Sequence, residues 1–171
     1  MLDDSDAEEL DRLLERYGDA IASAEPALID MEIGQLHALC ELLDAITIDS
    51  KAQRLLQELA NMLQNPEEKV LIFTQFTETL FYLQRILAPT YQVCIFHGDM
   101  DSAEKDQAVD DFRDTCQVMI ATEAAGEGRN LQFCHIMVNY DLPWNPMRIE
   151  QRIGRIDRIG QRLPVEIFNF A

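Results

Sequence analysis

Positive charge is scarce in this chain. Fourteen Lys and Arg stand against 31 Asp and Glu, a formal net charge of -17 over 171 residues. That balance excludes a generally basic nucleic-acid-binding surface, so any contact with a polyanion has to be local or completed by another domain. Cys40, Cys94, Cys116 and Cys134 are widely spaced and form no CxxC pair. Zinc and a disulfide framework are therefore set aside, and buried, reduced thiols are expected. No apolar run approaches the roughly 18 residues of a membrane-spanning helix. The first residues, Met1-Leu-Asp-Asp-Ser-Asp, lack the basic and apolar regions of a signal peptide, so a cytoplasmic location with no membrane partner is expected. Two further absences concern phosphate chemistry. No GxxxxGK[ST] phosphate loop occurs, and no acidic pair ends a strand where magnesium would be held.

Hydrophobic residues make up 47% of the chain, enough for a core. Charge is distributed unevenly: residues 1–68 carry 17 acidic against 4 basic side chains, and residues 69–171 carry 14 against 10. The front reads as three helices. The first covers 3–25, with Leu10, Leu13, Leu14 and Tyr17 at helical spacing, and Pro26 closes it. The second covers 28–46, with Leu28, Met31, Leu36, Leu39, Leu42, Leu43 and Ile46. Ser50 caps the third, 51–64, whose buried stripe is Leu55, Leu56, Leu59 and Leu63.

At Lys69 the pattern changes. Val70-Leu-Ile-Phe-Thr-Gln-Phe is a continuous apolar run, as in a strand buried on both faces of a parallel sheet. A helix over 78–88 follows, then a strand at Val93-Cys-Ile-Phe and a helix from Asp101 or Ser102 through Arg113. Val118-Met-Ile-Ala, Ile136-Met-Val-Asn-Tyr and Val165-Glu-Ile-Phe-Asn-Phe are further strands. Alternating strands and helices imply an α/β layered fold around a parallel sheet. Ligands then belong at the carboxyl ends of the strands. Polar clusters lie there: Thr74-Gln75, His97-Gly98-Asp99, Thr122 to Asn130, and Asp141 to Asn145.

Arg148–Arg162 concentrates five of the fourteen basic residues. Placed on one helix at about 100° per residue, Arg148, Arg152, Arg155, Arg158 and Arg162 share an arc of roughly 120°, with Ile149, Ile153 and Ile156 on another side. Arginine holds phosphate in a two-pronged grip, whereas a solvated face of ion pairs needs no ligand. Gly154 and Gly160, where a surface helix would prefer Ala, weigh against the solvated face. Gly126 and Gly128 let backbone approach a ligand closely. Thr122 and Asn130 offer groups that suit phosphate or ribose. The chain thus has arginines for a phosphate and no cradle of its own.

The order of Phe73-Thr-Gln-Phe, Phe96-His-Gly, Ala121-Thr-Glu-Ala-Ala-Gly-Glu-Gly-Arg-Asn-Leu-Gln, Trp144-Asn-Pro and Gln151-Arg-Ile-Gly-Arg-Ile-Asp-Arg-Ile-Gly-Gln resembles the second RecA-like lobe of a superfamily 2 helicase. Trp144-Asn-Pro and Arg158-Ile-Gly-Gln resemble the Swi/Snf-type ATPases rather than the DEAD-box branch. Glu127-Gly-Arg-Asn-Leu-Gln-Phe resembles the bacterial RapA-like subgroup. The likeness covers 69–171, and the Ser50-Lys51 helix fits the entry to the lobe. It implies a three-layer RecA-like lobe over 50–171 with an acidic helical appendage over 1–49.

The resemblance also implies roles. Arg155 and Arg158 match arginine fingers that reach a γ-phosphate held by another lobe, each kind worth about 10³–10⁵ in rate. Gln151 matches the residue that couples the cleft to the strand-binding side. Gly128 and Asn130 match positions near the ribose. Thr74, Gln75, Gly98 and Thr122 match positions that touch a nucleic-acid backbone. Arg148, Arg152 and Arg162 match no role and are expected as salt-bridge or surface residues. The implied cofactors are ATP and Mg²⁺, bound mainly by a first lobe outside this chain. The implied partners are double-stranded DNA, that first lobe, and RNA polymerase or another DNA-bound protein. The expectation is a motor lobe of a DNA translocase, inactive alone. The alternatives are a docking module built on the acidic helices and a strand-separating helicase lobe.

Overall fold

The computed structural model describes residues 26–45, 48–122 and 131–170. The helix expected over 3–25, and Gly126, Gly128 and Asn130, lie outside the described residues. The chain forms two compact units, 1–47 and 48–171. In the first, helix α1 (Pro26–Asp44) corresponds to the second predicted helix. Its Leu36, Leu39, Leu42 and Leu43 are exposed. So is Cys40, against the expectation of a buried thiol, whereas Cys94 and Cys134 are buried.

The second unit opens with α2 (Ser50–Met62). Its cap is Asp49 rather than Ser50: Asp49 is extended, and its carboxylate accepts from the Ala52 N–H at 2.9 Å. The same carboxylate accepts from the Tyr82 hydroxyl at 2.7 Å. Then come β1 (Val70–Thr74), α3 (Thr77–Leu87), β2 (Val93–Phe96), α4 (Ser102–Asp114), β3 (Val118–Thr122), β4 (Ile136–Asn139), α5 (Pro146–Ile153) and β5 (Glu166–Asn169). Asp101 and Glu104 close α4 with a reciprocal capping box.

The five strands form one sheet in the order β2-β3-β1-β4-β5, with every pairing parallel. All five residues of β1 and of β3 are buried, which is why their sequence reads as unbroken apolar runs. Side chains alternate between two cores. Leu71, Phe73, Met119, Ala121 and Met137 meet Ala108, Val109 and Phe112 of α4 on one face, together with Ile156. Val70, Ile72, Val118, Ile120 and Val138 meet Leu55 and Leu59 of α2 and Leu80, Leu83 and Leu87 of α3 on the other. The result is three layers.

Connection direction explains which helix lies on which face. The chain leaves β1 through α3 to reach β2, then reverses through α4 to β3, and the covering helix changes face. Crossovers of a single hand require that change. The connections therefore diverge around β1, and the crevice that such a divergence opens lies at the carboxyl ends of β1, β3 and β4.

Candidate functional site

Among the described residues, the buried polar or charged side chains are Thr74, Thr122, Asn139 and Arg152. All lie at or beside this carboxyl end. Thr74 and Thr122 are register partners across β1 and β3, and Phe73 faces Asn139 across β1 and β4. Burying such groups is costly unless each is hydrogen-bonded. The Thr74 hydroxyl donates to Asp141 Oδ2 at 2.6 Å. The Gln75 N–H donates to Asp141 Oδ1 at 2.7 Å, and its side-chain amide donates to the Leu142 carbonyl at 3.3 Å. Asp141 thus fixes the turn after β1 from the turn after β4.

Gly98 stands apart, in the exposed turn after β2, where its carbonyl accepts from Lys105 Nζ at 3.1 Å. His97 packs edge-on against the Phe81 ring at 5.6 Å. The structure brings Thr74, Gln75 and Thr122 together, with Gly98 two strands away on the β2 edge of the sheet.

The arginine stretch departs from the expected single helix. Helix α5 starts on Asn145, whose side chain accepts from the Met147 N–H at 3.0 Å, and it ends at Gly154. Turns follow: the Arg155 and Ile156 N–H groups donate to Arg152 and Ile153 carbonyls, each at 3.0 Å. Gly160 has φ +108, a conformation that side-chain-bearing residues rarely adopt. The two glycines thus end a helix that the 100° wheel had continued to Arg162.

The five arginines consequently have separate environments. Arg152 is only 2% exposed, which corrects its placement among the surface residues. Its Nη1 donates to Asn139 Oδ1 at 2.8 Å and to the Asp141 carbonyl at 2.9 Å, and its guanidinium lies 5.3 Å from the Phe73 ring centre. Arg155 is half-buried, and its carbonyl accepts from the Leu131 N–H at 3.3 Å. Arg158 is exposed, and its Nε donates to the Gly154 carbonyl at 2.7 Å, which steadies the guanidinium. Gln132, Asp157, Arg158 and Ile159 line an open depression. Gln151 is exposed on α5.

Gln161 holds this turn region in place. Its Nε2 donates to the carbonyls of Gln132 and Cys134 at 3.1 Å and of Ile156 at 3.0 Å. Its Oε1 accepts from the N–H groups of Arg162 at 2.9 Å and Leu163 at 3.1 Å. Asp141 and Gln161 were visible in sequence only as members of polar clusters. Nothing in residue spacing shows that one side chain will serve five backbone groups.

Among the described residues no group of His, Cys, Asp or Glu is placed to hold a metal ion. No helix among them is long and apolar enough to cross a membrane. For a nucleotide, the chain offers exposed and half-buried arginines beside a depression and no array of backbone N–H groups among the described residues.

The family described as helicase conserved C-terminal domain matches residues 50–160. The uncharacterized ATP-dependent helicase YqhH of Bacillus subtilis is 45% identical over 137 residues, which is 80% of this chain and 24% of that protein. The RNA polymerase-associated protein RapA of Serratia proteamaculans is 38% identical over 111 residues, 62% of this chain and 12% of that protein. The chain therefore spans a quarter or less of the length of these relatives. The crystal structure of the C-terminal part of the Fun30 ATPase domain superposes with a TM-score of 0.68 at 24% identity, over 93% of this chain and 60% of that one. That of the E. coli DEAD-box protein SrmB bound to regulator of ribonuclease activity A gives 0.60 at 24% identity, over 70% and 69%. Both likenesses establish the RecA-like α/β fold that the alternation of strands and helices implied.

Proposed function

Because this chain belongs to the helicase conserved C-terminal domain family, we propose that it is the second motor lobe of a Swi/Snf-type, DNA-dependent ATPase that moves along double-stranded DNA. One observation carries the reading. Arg155 and Arg158 stand on a braced turn beside an open depression, in a chain with no phosphate loop. Arginines presented without a cradle suit a phosphate held by a facing lobe.

ATP with Mg²⁺ would supply the phosphoryl group and most of its charge neutralisation from that first lobe. In this lobe, Arg155 and Arg158 stabilise the charge that develops on the γ-phosphate oxygens. Gln151, with Gly128 and Asn130, faces the nucleotide. Gln75, Gly98 and Thr122 meet the DNA backbone, whose phosphates carry no sequence information, as a translocase needs. Thr74 contributes by fixing Asp141 and through it the Gln75 turn. The names of the RapA relatives support RNA polymerase as a partner, the acidic helices being the docking side, and a cytoplasmic location.

The test is turnover by the two-lobe protein. Arg155→Ala and Arg158→Ala should each lower DNA-stimulated ATP hydrolysis by about 10³-fold or more while DNA affinity stays within a few-fold. Wild-type turnover in either variant would remove the finger assignment. Robust hydrolysis by residues 1–171 alone would remove the lobe reading. Separation of strands in an unwinding assay would favour a strand-separating helicase instead.

A further inference from the structure

Arg152 has no part in the function just described, yet it is the most deeply buried charged side chain among the described residues. A buried guanidinium is expensive: an apolar residue of similar volume packed over Phe73 would commonly be as stable or more so. Its retention calls for something that apolar packing cannot provide.

The hydrogen bonds suggest what that is. Arg152 Nη1 is shared between the Asn139 side chain and the Asp141 carbonyl, two residues apart where β4 ends. Asp141 holds the Thr74 hydroxyl with one oxygen and the Gln75 N–H with the other. Asn139 Nδ2 donates in turn to Asn169 Oδ1 of β5 at 2.8 Å. On the other side, the Arg152 carbonyl accepts from the Arg155 N–H at 3.0 Å. An unbroken path therefore runs from the Gln75 backbone through Asp141 and Arg152 to the backbone of Arg155.

We propose that Arg152 is a positioning residue that joins the Gln75 turn to the Arg155 turn, so that DNA seated on the first sets the placement of the arginine on the second. The proposal rests on the function proposed above and adds to it the route by which DNA stimulates turnover. A planar fork suits this task. Its bonds are directional, and stacking on Phe73 fixes its plane, so displacement of the β4 end carries α5 with it. A lysine keeps the charge but offers a point donor with no plane, and it cannot hold both acceptors in register.

The experiment uses the two-lobe protein with Arg152→Lys and Arg152→Met. ATP turnover is measured with saturating double-stranded DNA and without DNA, alongside the thermal unfolding midpoint. The expected result for Arg152→Lys is a cooperative unfolding transition and a KM for ATP within about twofold of wild type. The ratio of DNA-stimulated to DNA-free turnover should fall at least tenfold. A merely structural role would lower both rates in parallel and leave the ratio where it was, and that result overturns the proposal. Loss of cooperative unfolding in both variants overturns it too, because Arg152 would then serve the core alone. Arg155→Ala and Arg158→Ala run in the same assay separate the two levels. If those variants turn over ATP normally, the functional reading fails; if they are dead and Arg152→Lys keeps its stimulation ratio, only the positioning role fails.

Discussion

Gln161 gives the sharpest stability prediction. Its amide has two N–H bonds for three carbonyls, so one is shared, and its oxygen serves two backbone N–H groups. A net hydrogen bond contributes about 0.5–1.5 kcal/mol. The donating side is partly buried, so its two N–H groups contribute about 1–3 kcal/mol together. The accepting side is exposed, where water substitutes readily, and adds little. Gln161→Ala is therefore expected to cost about 1.5–3 kcal/mol. The informative variant is Gln161→Glu. It keeps size and shape but removes both donors and sets a charged oxygen against three carbonyl oxygens. Solvation comparison with Ala is then no rescue: Gln161→Glu should be at least as destabilising at pH 7, and should recover part of the loss when the carboxyl is protonated near pH 4. Urea unfolding followed by circular dichroism reads both, as a lower midpoint at unchanged slope. A Gln161→Glu protein with the wild-type midpoint at pH 7 would refute the donor assignment and with it the account of how the turn is braced.

Gly160→Ala should cost about 1–3 kcal/mol in the same assay, because φ +108 is strained for a side-chain-bearing residue even though a Cβ would meet nothing closer than Gln132 Oε1 at 3.9 Å. Burial pushes the Cys134 thiol up to about 12 and raises Cys94 as well. A thiol reagent at pH 8 should label exposed Cys40 promptly and reach Cys94 and Cys134 only in urea; mass spectrometry of the labelled native protein would expose the opposite pattern. Burial raises the Asp49 carboxyl, but hydrogen bonds from Tyr82 and Ala52 outweigh it and hold the group below its ordinary 3.8. The folded state thus prefers the carboxylate, so this stabilisation is complete above pH 3.8 and is lost as pH falls through the lower folded value. Asp49→Asn should be less stable than wild type at pH 6 and should narrow the gap in acid unfolding below that point.

The sheet was legible because its strands are buried on both faces, and burial of that kind writes itself as Val70-Leu-Ile-Phe and Val118-Met-Ile-Ala. Helix ends were less legible. Ser50 and Asp49 are both good caps, and only the chain entering α2 decides between them. The arginine stretch failed for an instructive reason. A helical wheel presumes a helix, and Gly154 and Gly160 were read as hints about function when they were first of all stops. The wheel still held one usable signal. Arg152 lies about 40° from Ile156, nearer the apolar stripe than any other arginine of the set. That position marks a charged side chain turned towards the core. Its acceptors, Asn139 and Asp141, come from a strand end that no local pattern could pair with α5. Gln161 was unreadable for the same reason, since its partners sit some 30 residues earlier in the chain.

The strand order also bears on how the lobe is made on the ribosome. β1 has only β3 and β4 as neighbours, and β2 has only β3. Until Val118 and the residues after it have emerged, neither of the first two strands has any partner. Val70-Leu-Ile-Phe, a short apolar run of high β-propensity, must wait through the synthesis of α3, β2 and α4 before anything can pair with it. At about 5–20 residues per second that interval lasts seconds. α2 and α3, which cover one face of β1 in the finished lobe, are complete much earlier and can shield that run while it waits.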